Sequence, residues 1–170
     1  DLALGISEAV RNVINKSSIK TEDISLVSLS TTLATNALVE DQGGRVALIF
    51  VGFRDGDLAK HSIHDALRGD PVLQSKGGHN HAGDETCQIN VGEIRDWVLN
   101  LDGVSAFAVA SQFATRNAAH ELQIMELIKS LTDKPVTASH QLSAKLNGPR
   151  RALTAVLNAR LIGIIDELIG

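Results

Sequence analysis

The amino-acid sequence predicts an α/β fold in which a mainly parallel sheet is flanked by helices. Three observations lead there. Apolar runs of strand length alternate with segments of helical periodicity along most of the 170 residues. Two of these runs, 45–51 and 104–110, are nearly continuous in apolar residues, as expected of strands covered on both faces. The apolar residues are mainly Ala, Val, Leu and Ile, with no Tyr, one Trp and four Phe. Such a composition suits helices packed on a parallel sheet.

Residues 1–15 read as an amphipathic helix, with Leu2, Ile6, Ala9, Val10, Val13 and Ile14 recurring at helical spacing. A polar break at 16–20 and Thr21-Glu22-Asp23 lead into a strand at 24–29. A second helix at 32–40 is stopped by Asp41-Gln42-Gly43-Gly44. The strand at 45–51 ends at Gly52-Phe53-Arg54-Asp55-Gly56, and 57–67 reads as a short helix. Residues 68–85, carrying Gly69, Pro71, Gly77, Gly78 and Gly83, read as a loop with room for one short strand. The stretch 92–99 is helical around Ile94, Trp97 and Val98. After the strand at 104–110 comes a strong helix at 117–131, apolar at Leu122, Met125, Leu127, Ile128 and Leu131. Lys134-Pro135 marks the start of a short strand at 135–139. The last helix, 149–169, has Pro149 in its first turn and an apolar set that includes Leu153, Val156, Leu157, Ile164, Ile165 and Leu168. The whole reads as one domain, 1–170, without internal repeats.

Composition excludes several classes of function. A net charge of −4 without a dense Lys/Arg run argues against binding a nucleic acid through a basic face. The scarcity of aromatics argues against base-stacking platforms. No apolar stretch approaches the roughly 18 residues that span a bilayer, so no membrane association is expected. The single cysteine, Cys87, cannot form an internal disulfide, which favours a reducing, cytoplasmic setting. The first residues lack both Met and a signal-peptide layout, which suggests a piece of a longer chain.

The segment Ser30-Thr31-Thr32-Leu33-Ala34-Thr35-Asn36-Ala37-Leu38 is the most informative. Small hydroxyl residues at a strand-to-helix junction leave backbone N–H groups and a positive helix end facing one point, a ready site for a phosphate or carboxylate. The same residues also suffice as a helix cap. Thr31 and Thr32 can donate to an anion or a carbonyl, and Asn36 lies one turn on, near the same face. Arg54, beside Asp55, can bind a substrate carboxylate or close its loop by an ion pair. Arg151 stands in the first turn of the last helix, where a cation needs an acidic partner or a bound anion. His79 and His81, with Asp84, Glu85 and Cys87 nearby, have the chemistry of a metal site, although the spacing matches no standard zinc pattern and a polar loop is the plainer reading. His120-Glu121 reads either as an acid/base pair or as the start of a solvated helix. Asn158, within an apolar helix, reads as a buried amide bonded to backbone or to a neighbouring element.

The chain resembles the hydantoinase/oxoprolinase family at several ordered places. The segment from Ser30 to Leu38 is similar to the family's Gly-Thr-Thr-x-Ala-Thr-Asn-Ala-Leu. It is followed by Gly43-Gly44-Arg45-Val46-Ala47-Leu48 and by Gly52-Phe53-Arg54-Asp55. His120-Glu121-Leu122 resembles a Pro-x-His-Glu segment. Ser139-His140 follows the later strand, and Arg151 with Thr154-Ala155-Val156-Leu157-Asn158-Ala159 resembles Arg-x-x-Thr-x-x-x-Asn-Ala. The resemblance covers most of the chain. It implies an actin-like (ribonuclease H-like) ATPase domain, with ATP and Mg²⁺ as cofactors. The implied activity is ATP-dependent hydrolysis of cyclic amides such as hydantoins or 5-oxoproline through a phosphorylated intermediate. It also implies a second hydantoinase-type subunit or domain as partner, within an oligomer, and Thr31, Thr32, Asn36, Arg54 and Arg151 as substrate- or phosphate-binding residues. Relatives carboxylate ketones.

Ser30 stands where the family usually has Gly, and the family's two Asp-Gly-Gly-Thr phosphate hairpins are absent from the chain. One hairpin is expected before Asp1 and one after Gly170. The chain is therefore expected to be a fragment of a larger catalytic subunit, inactive by itself, with its catalytic residues not yet assigned. Two other readings stand beside this one: a non-catalytic assembly module, and a small-molecule kinase of the same superfamily.

Overall fold

In the computed structural model, which describes residues 2–17, 19–25 and 43–169, four strands form one parallel sheet. They are β1 (Val46–Val51), β2 (Val72–Ser75), β3 (Ala106–Ser111) and β4 (Val136–Ala138), in the order β2-β1-β3-β4. Register runs Val46 to Ala106 through Val51 to Ser111 between β1 and β3, with Leu48 beside Val72 on one side and Phe107 beside Val136 on the other. The helices are α1 (Leu2–Ser17), α2 (Ile63–Leu67), α3 (Val91–Leu99), α4 (Ala119–Leu131), α5 (Ser139–Leu142) and α6 (Gly148–Ile169). Short 3-10 turns lie at Thr21–Asp23 and Asp57–Ser62. Most of the strand expected at 24–29, and all of the helix expected at 32–40 with Thr31, Thr32 and Asn36, lie outside the described residues.

Every residue of β1 and β3 is buried, as their apolar sequences require, and the pleat sends alternate side chains to opposite faces. Val46, Leu48 and Phe50 pack with Ile63 and Leu67 of α2 and with α6. Ala47, Ile49 and Val51 pack with Ile94 and Val98 of α3 and with Ile124 and Ile128 of α4. On the α6 side β3 carries only Ala106, Ala108 and Ala110, which meet Ala152, Ala155, Val156 and Ala159. Small residues on both surfaces let the long helix lie close against the sheet.

The order of connections fixes the geometry of the edge. The step from β1 to β2 carries α2, and the return from β2 across β1 to β3 carries α3. Right-handed crossovers running in opposite directions place their helices on opposite faces. The chain therefore leaves β1 toward one face and β3, its neighbour, toward the other. A crevice opens between the carboxyl ends of these two strands, the usual ligand position in open α/β sheets.

Two elements differ from the sequence expectation. The helix expected at 57–67 is broken, because Lys60 is extended and His61 and Ser62 are left-handed (φ 56° and 58°). The cause is Asp57, whose buried carboxylate accepts from the Arg54 N–H at 2.9 Å and pairs with Lys60, winding the segment back on itself. The strand expected at 135–139 stops at Ala138, and Ser139 begins a one-turn helix instead. At the opposite, amino edge, Asp70 accepts from Val46 N at 2.9 Å and pairs with Arg160 of α6 at 2.7 Å.

Gly52 ends β1 at φ 74°, and a Cβ there would collide with the Gly77 carbonyl, so the loops after β1 and β2 touch only because this residue is glycine. Gly52→Ala should lower stability by about 1–3 kcal/mol, more than Gly56→Ala, which has the same sign of φ but open space around it. Urea midpoints of the two variants check this.

Candidate functional site

The loops following the four strands meet at the carboxyl edge. At the β1/β3 crevice the loops after β1 and β3 and the segment leading to α6 border a cavity of about 390 Å³ whose walls include Phe53, Lys60, Gln112, Phe113, Leu146 and Asn147. Phe53 is held by stacking on Phe50 of β1, with ring centres 3.8 Å apart. His61 and Phe113 also line this cavity, and both are non-glycine residues at φ 56°. Backbone strain of this kind costs about 1–3 kcal/mol per residue and collects at ligand sites.

Beside the cavity lies a buried polar hub centred on Glu121 of α4, which is fully buried. Its Oε1 accepts from the Ser111 N–H at 2.7 Å and the Ser139 hydroxyl at 2.6 Å. Its Oε2 accepts from the His140 backbone N–H at 2.9 Å and from His140 Nδ1 at 2.7 Å. Arg151 supplies the balancing charge. Its Nε donates to Ser139 Oγ at 3.3 Å, Nη1 to the Lys145 carbonyl at 2.8 Å and Nη2 to the Ser111 carbonyl at 3.1 Å. Burial pushes the Arg151 pKa below the ordinary arginine value, and Glu121 opposes that shift. The carboxyl ends of β3 and β4 and the starts of α4, α5 and α6 are all tied to this one pair.

A second cluster joins the loop after β2 to the start of α4. The Gly78 N–H donates to His120 Nδ1 at 3.0 Å, which puts the ring proton on Nε2, 2.7 Å from Glu85 Oε1. His79 packs on that ring, with centres 4.3 Å apart, and its buried Nδ1 has no hydrogen-bond partner. Burial first, and then the neighbouring His120, lower the His79 pKa from 6.5.

Arg54 is exposed on the loop after β1, and the carboxylate that closes this loop is Asp57, not Asp55. Arg151 is inside the hub, 2% exposed, with its donors on protein acceptors. The acidic partner its position called for is Glu121. His79 is buried whereas His81 is exposed, and among the described residues no group of three or more His, Cys, Asp or Glu side chains could hold a metal ion. His120 and Glu121 do not start a solvated helix; both are buried. Asn158 Oδ1 accepts from the Thr137 hydroxyl at 3.3 Å, tying α6 to β4. Nothing local in the sequence marks Ser111, Ser139 or His140 as members of the hub. The only sequence signal for the hub was a charged pair, Glu121 and Arg151, at the starts of two helices that otherwise pack on the core.

An open parallel sheet flanked by helices, with a cavity at its switch point and a buried ionic hub beside it, defines an α/β domain. The family described as "Hydantoinase/oxoprolinase N-terminal region" matches residues 1–132, and the chain belongs to the hydantoinase/oxoprolinase family. It is 25% identical over 203 aligned positions to the acetophenone carboxylase gamma subunit of Aromatoleum aromaticum, covering 100% of this chain and 28% of that protein. It is 26% identical over 190 positions to 5-oxoprolinase 1 of Arabidopsis thaliana, covering 92% of this chain and 15% of that one. The fold matches the crystal structure of an ATP-dependent caprolactamase from Pseudomonas jessenii with a TM-score of 0.73 and 22% identity, over 98% of this chain and 27% of that one. It also matches a nucleotide-free structure of acetone carboxylase with a TM-score of 0.60 and 17% identity, over 98% and 29%. The chain thus spans under a third of the length of each of these relatives.

Two measurements test the site's energetics. Glu121→Gln, which keeps the shape but removes the charge that balances Arg151, should lower stability by about 3–5 kcal/mol, against about 1–2 kcal/mol for Ser139→Ala; chemical denaturation of both variants compares them. His79 has a folded pKa below its unfolded one, so its contribution is fully present above about pH 6.5 and is lost as pH falls below that value, because the unfolded chain takes up a proton that the buried ring resists. Melting temperature should fall on acidification from pH 7 to 5, and His79→Phe should flatten that part of the curve.

Proposed function

We propose that this chain is part of the ATP-dependent catalytic subunit of a cyclic-amide hydrolase, which opens a hydantoin- or 5-oxoproline-type ring through a phosphorylated intermediate. The observation that carries this reading is the cavity at the β1/β3 switch point, in a chain of this family. Phe53 and Phe113 offer apolar walls for a flat ring, while the Gln112 amide and the Lys60 ammonium offer polar groups for its amide. The name of the Arabidopsis relative supports the substrate class.

The described residues do not by themselves form a triphosphate cradle. The first turn of α6 faces the cavity, but Asn147 Oδ1 already takes the Arg150 N–H, the Asn147 carbonyl takes that of Arg151, and Pro149 has none to give. In this reading ATP and Mg²⁺ are gripped by phosphate hairpins elsewhere in the parent subunit, within an actin-like domain. Thr31, Thr32, Asn36 and Arg54 bind the substrate or its phosphate. The parent works in the cytoplasm with a second hydantoinase-type subunit or domain, in an oligomer. Among the described residues no helix is long and apolar enough to cross a membrane.

A second reading is ATP-dependent carboxylation of a ketone, favoured by the match to an acetophenone carboxylase subunit over the whole of this chain. Phosphate release by the parent complex, with ATP and Mg²⁺, separates the two. Release that depends on 5-oxoproline or hydantoin is expected; release that depends instead on a ketone with bicarbonate supports carboxylation. Failure of the parent to bind a non-hydrolysable ATP analogue in calorimetric titration overturns both.

A further inference from the structure

We propose that Gly148 decides which rings the β1/β3 cavity accepts, and that it does so through Phe53, whose side chain it allows to lie where it does. This rests on the cyclic-amide reading above and names the pair of residues that selects among such rings. Phe53 leaves β1 directly after Gly52, and its ring is confined from two directions. One face stacks on Phe50, with centres 3.8 Å apart and planes 9° from parallel. Phe50 is 1% exposed and belongs to the core shared with α6, so it has no room to give way. The rim of the Phe53 ring reaches Gly148, the first residue of α6. A Cβ at 148 would overlap Phe53 Cε1 and lie 2.8 Å from Cζ, whereas carbon atoms in contact sit about 3.5–4.0 Å apart. The ring fills the space of the side chain that residue 148 lacks.

Glycine is needed here for that space and not for its backbone. Gly52, Gly77 and Gly78 have positive φ, but Gly148 does not, so its backbone would accept alanine. The start of α6 cannot retreat to make room, because Arg151 is fastened to the Ser139 hydroxyl and to the Lys145 and Ser111 carbonyls. With Phe50 and the helix both fixed, what an added methyl group moves is the Phe53 ring.

That ring is a wall of two cavities. Phe53 and Gly148 both line the cavity of about 390 Å³. Phe53 also lines a second cavity of about 310 Å³ at the ends of β1 and β2, together with Gly52, Gln74 and Cys87. Displacing the ring therefore reshapes the space that a substrate ring would occupy. An apolar wall discriminates by fit, and one methylene group more or less is worth about 10- to 200-fold in specificity.

The test is a double-mutant cycle in the full-length parent complex with ATP and Mg²⁺. Its substrates are a five-membered ring (5-oxoproline or hydantoin) and a seven-membered lactam. Gly148→Ala should lower kcat/KM for the ring that the wild type prefers by about tenfold, chiefly through KM, and should change the preference between the rings. Phe53→Leu, which removes the aromatic wall, should shift the preference toward the larger ring by about tenfold. In the Phe53→Leu background Gly148→Ala should alter neither quantity by more than about twofold, because the ring it displaces is gone. Melting curves establish that each variant is folded. If Gly148→Ala does not fold, the preference of Phe53→Leu alone decides, and an unchanged preference overturns the proposal. Equal effects of Gly148→Ala in both backgrounds also overturn it, as does a loss confined to kcat with the ring preference unchanged; both leave the cyclic-amide function standing. A wild-type parent that opens none of these rings overturns the function, and the selection of rings with it.

Discussion

A carboxylate removed from water has to find its hydrogen bonds and its counter-charge in the protein, and Glu121 finds all of them at the ends of other elements. Its two oxygens take four donors, from Ser111 at the end of β3 and from Ser139 and His140 at the end of β4. Arg151 returns the charge and fastens the Ser111 carbonyl and the 145 carbonyl in the same gesture. Desolvating two charges costs several kcal/mol each, and the cost is offset only when every donor and acceptor is matched, as it nearly is here. The carboxyl edge of the sheet therefore has little freedom. Strand ends, helix starts and the cavity wall are all held relative to one carboxylate.

That rigidity matters because the cavity is built from loops. Three pieces border it: the turn after β1, the turn after β3 and the segment leading to α6. Each is anchored differently: by the Asp57–Lys60 pair, by the strained Phe113 whose carbonyl collects the Arg116 and Asn117 N–H groups, and by the hub. Strain at His61 and Phe113 persists because these anchors over-determine the backbone. The relatives that match this chain are several times its length.

The sheet was legible in the sequence because its signal is local. Residues 45–51 and 104–110 are buried on both faces and so are apolar throughout, and the alanines of β3 and α6 announce close packing wherever they occur. The hub was not legible, because its meaning depends on distant partners. Glu121 has the look of a residue at a solvated helix start until the loops after β3 and β4 cover it. Arg151 stands out in the sequence as a cation in the wrong place, and spacing alone does not choose between an acidic partner and a bound anion. The broken helix at 57–67 has the same origin, since the pattern of apolar residues is helical and only the reach of one carboxylate, Asp57, decides otherwise. His79 and His81 looked alike in sequence, but Gly77 and Gly78, at φ 141° and 99°, turn the chain so that one is packed on His120 and the other faces solvent.

Helix α6 is fastened at both margins of the sheet. Arg151 grips the carboxyl side, and Arg160, 2.7 Å from Asp70, grips the amino side. At 1.5 Å of rise per residue these anchors lie about 13 Å apart along the axis, with the alanine contact filling the space between. A rod held at two points on one face can neither roll about its axis nor slide along it without breaking the hydrogen bonds of Arg151 or the Arg160–Asp70 pair. Its 22 residues therefore act as a stiff shaft. Any displacement of the hub would be passed along α6 to Arg160 and Asp70, so the carboxyl and amino edges of the sheet share one mechanical frame.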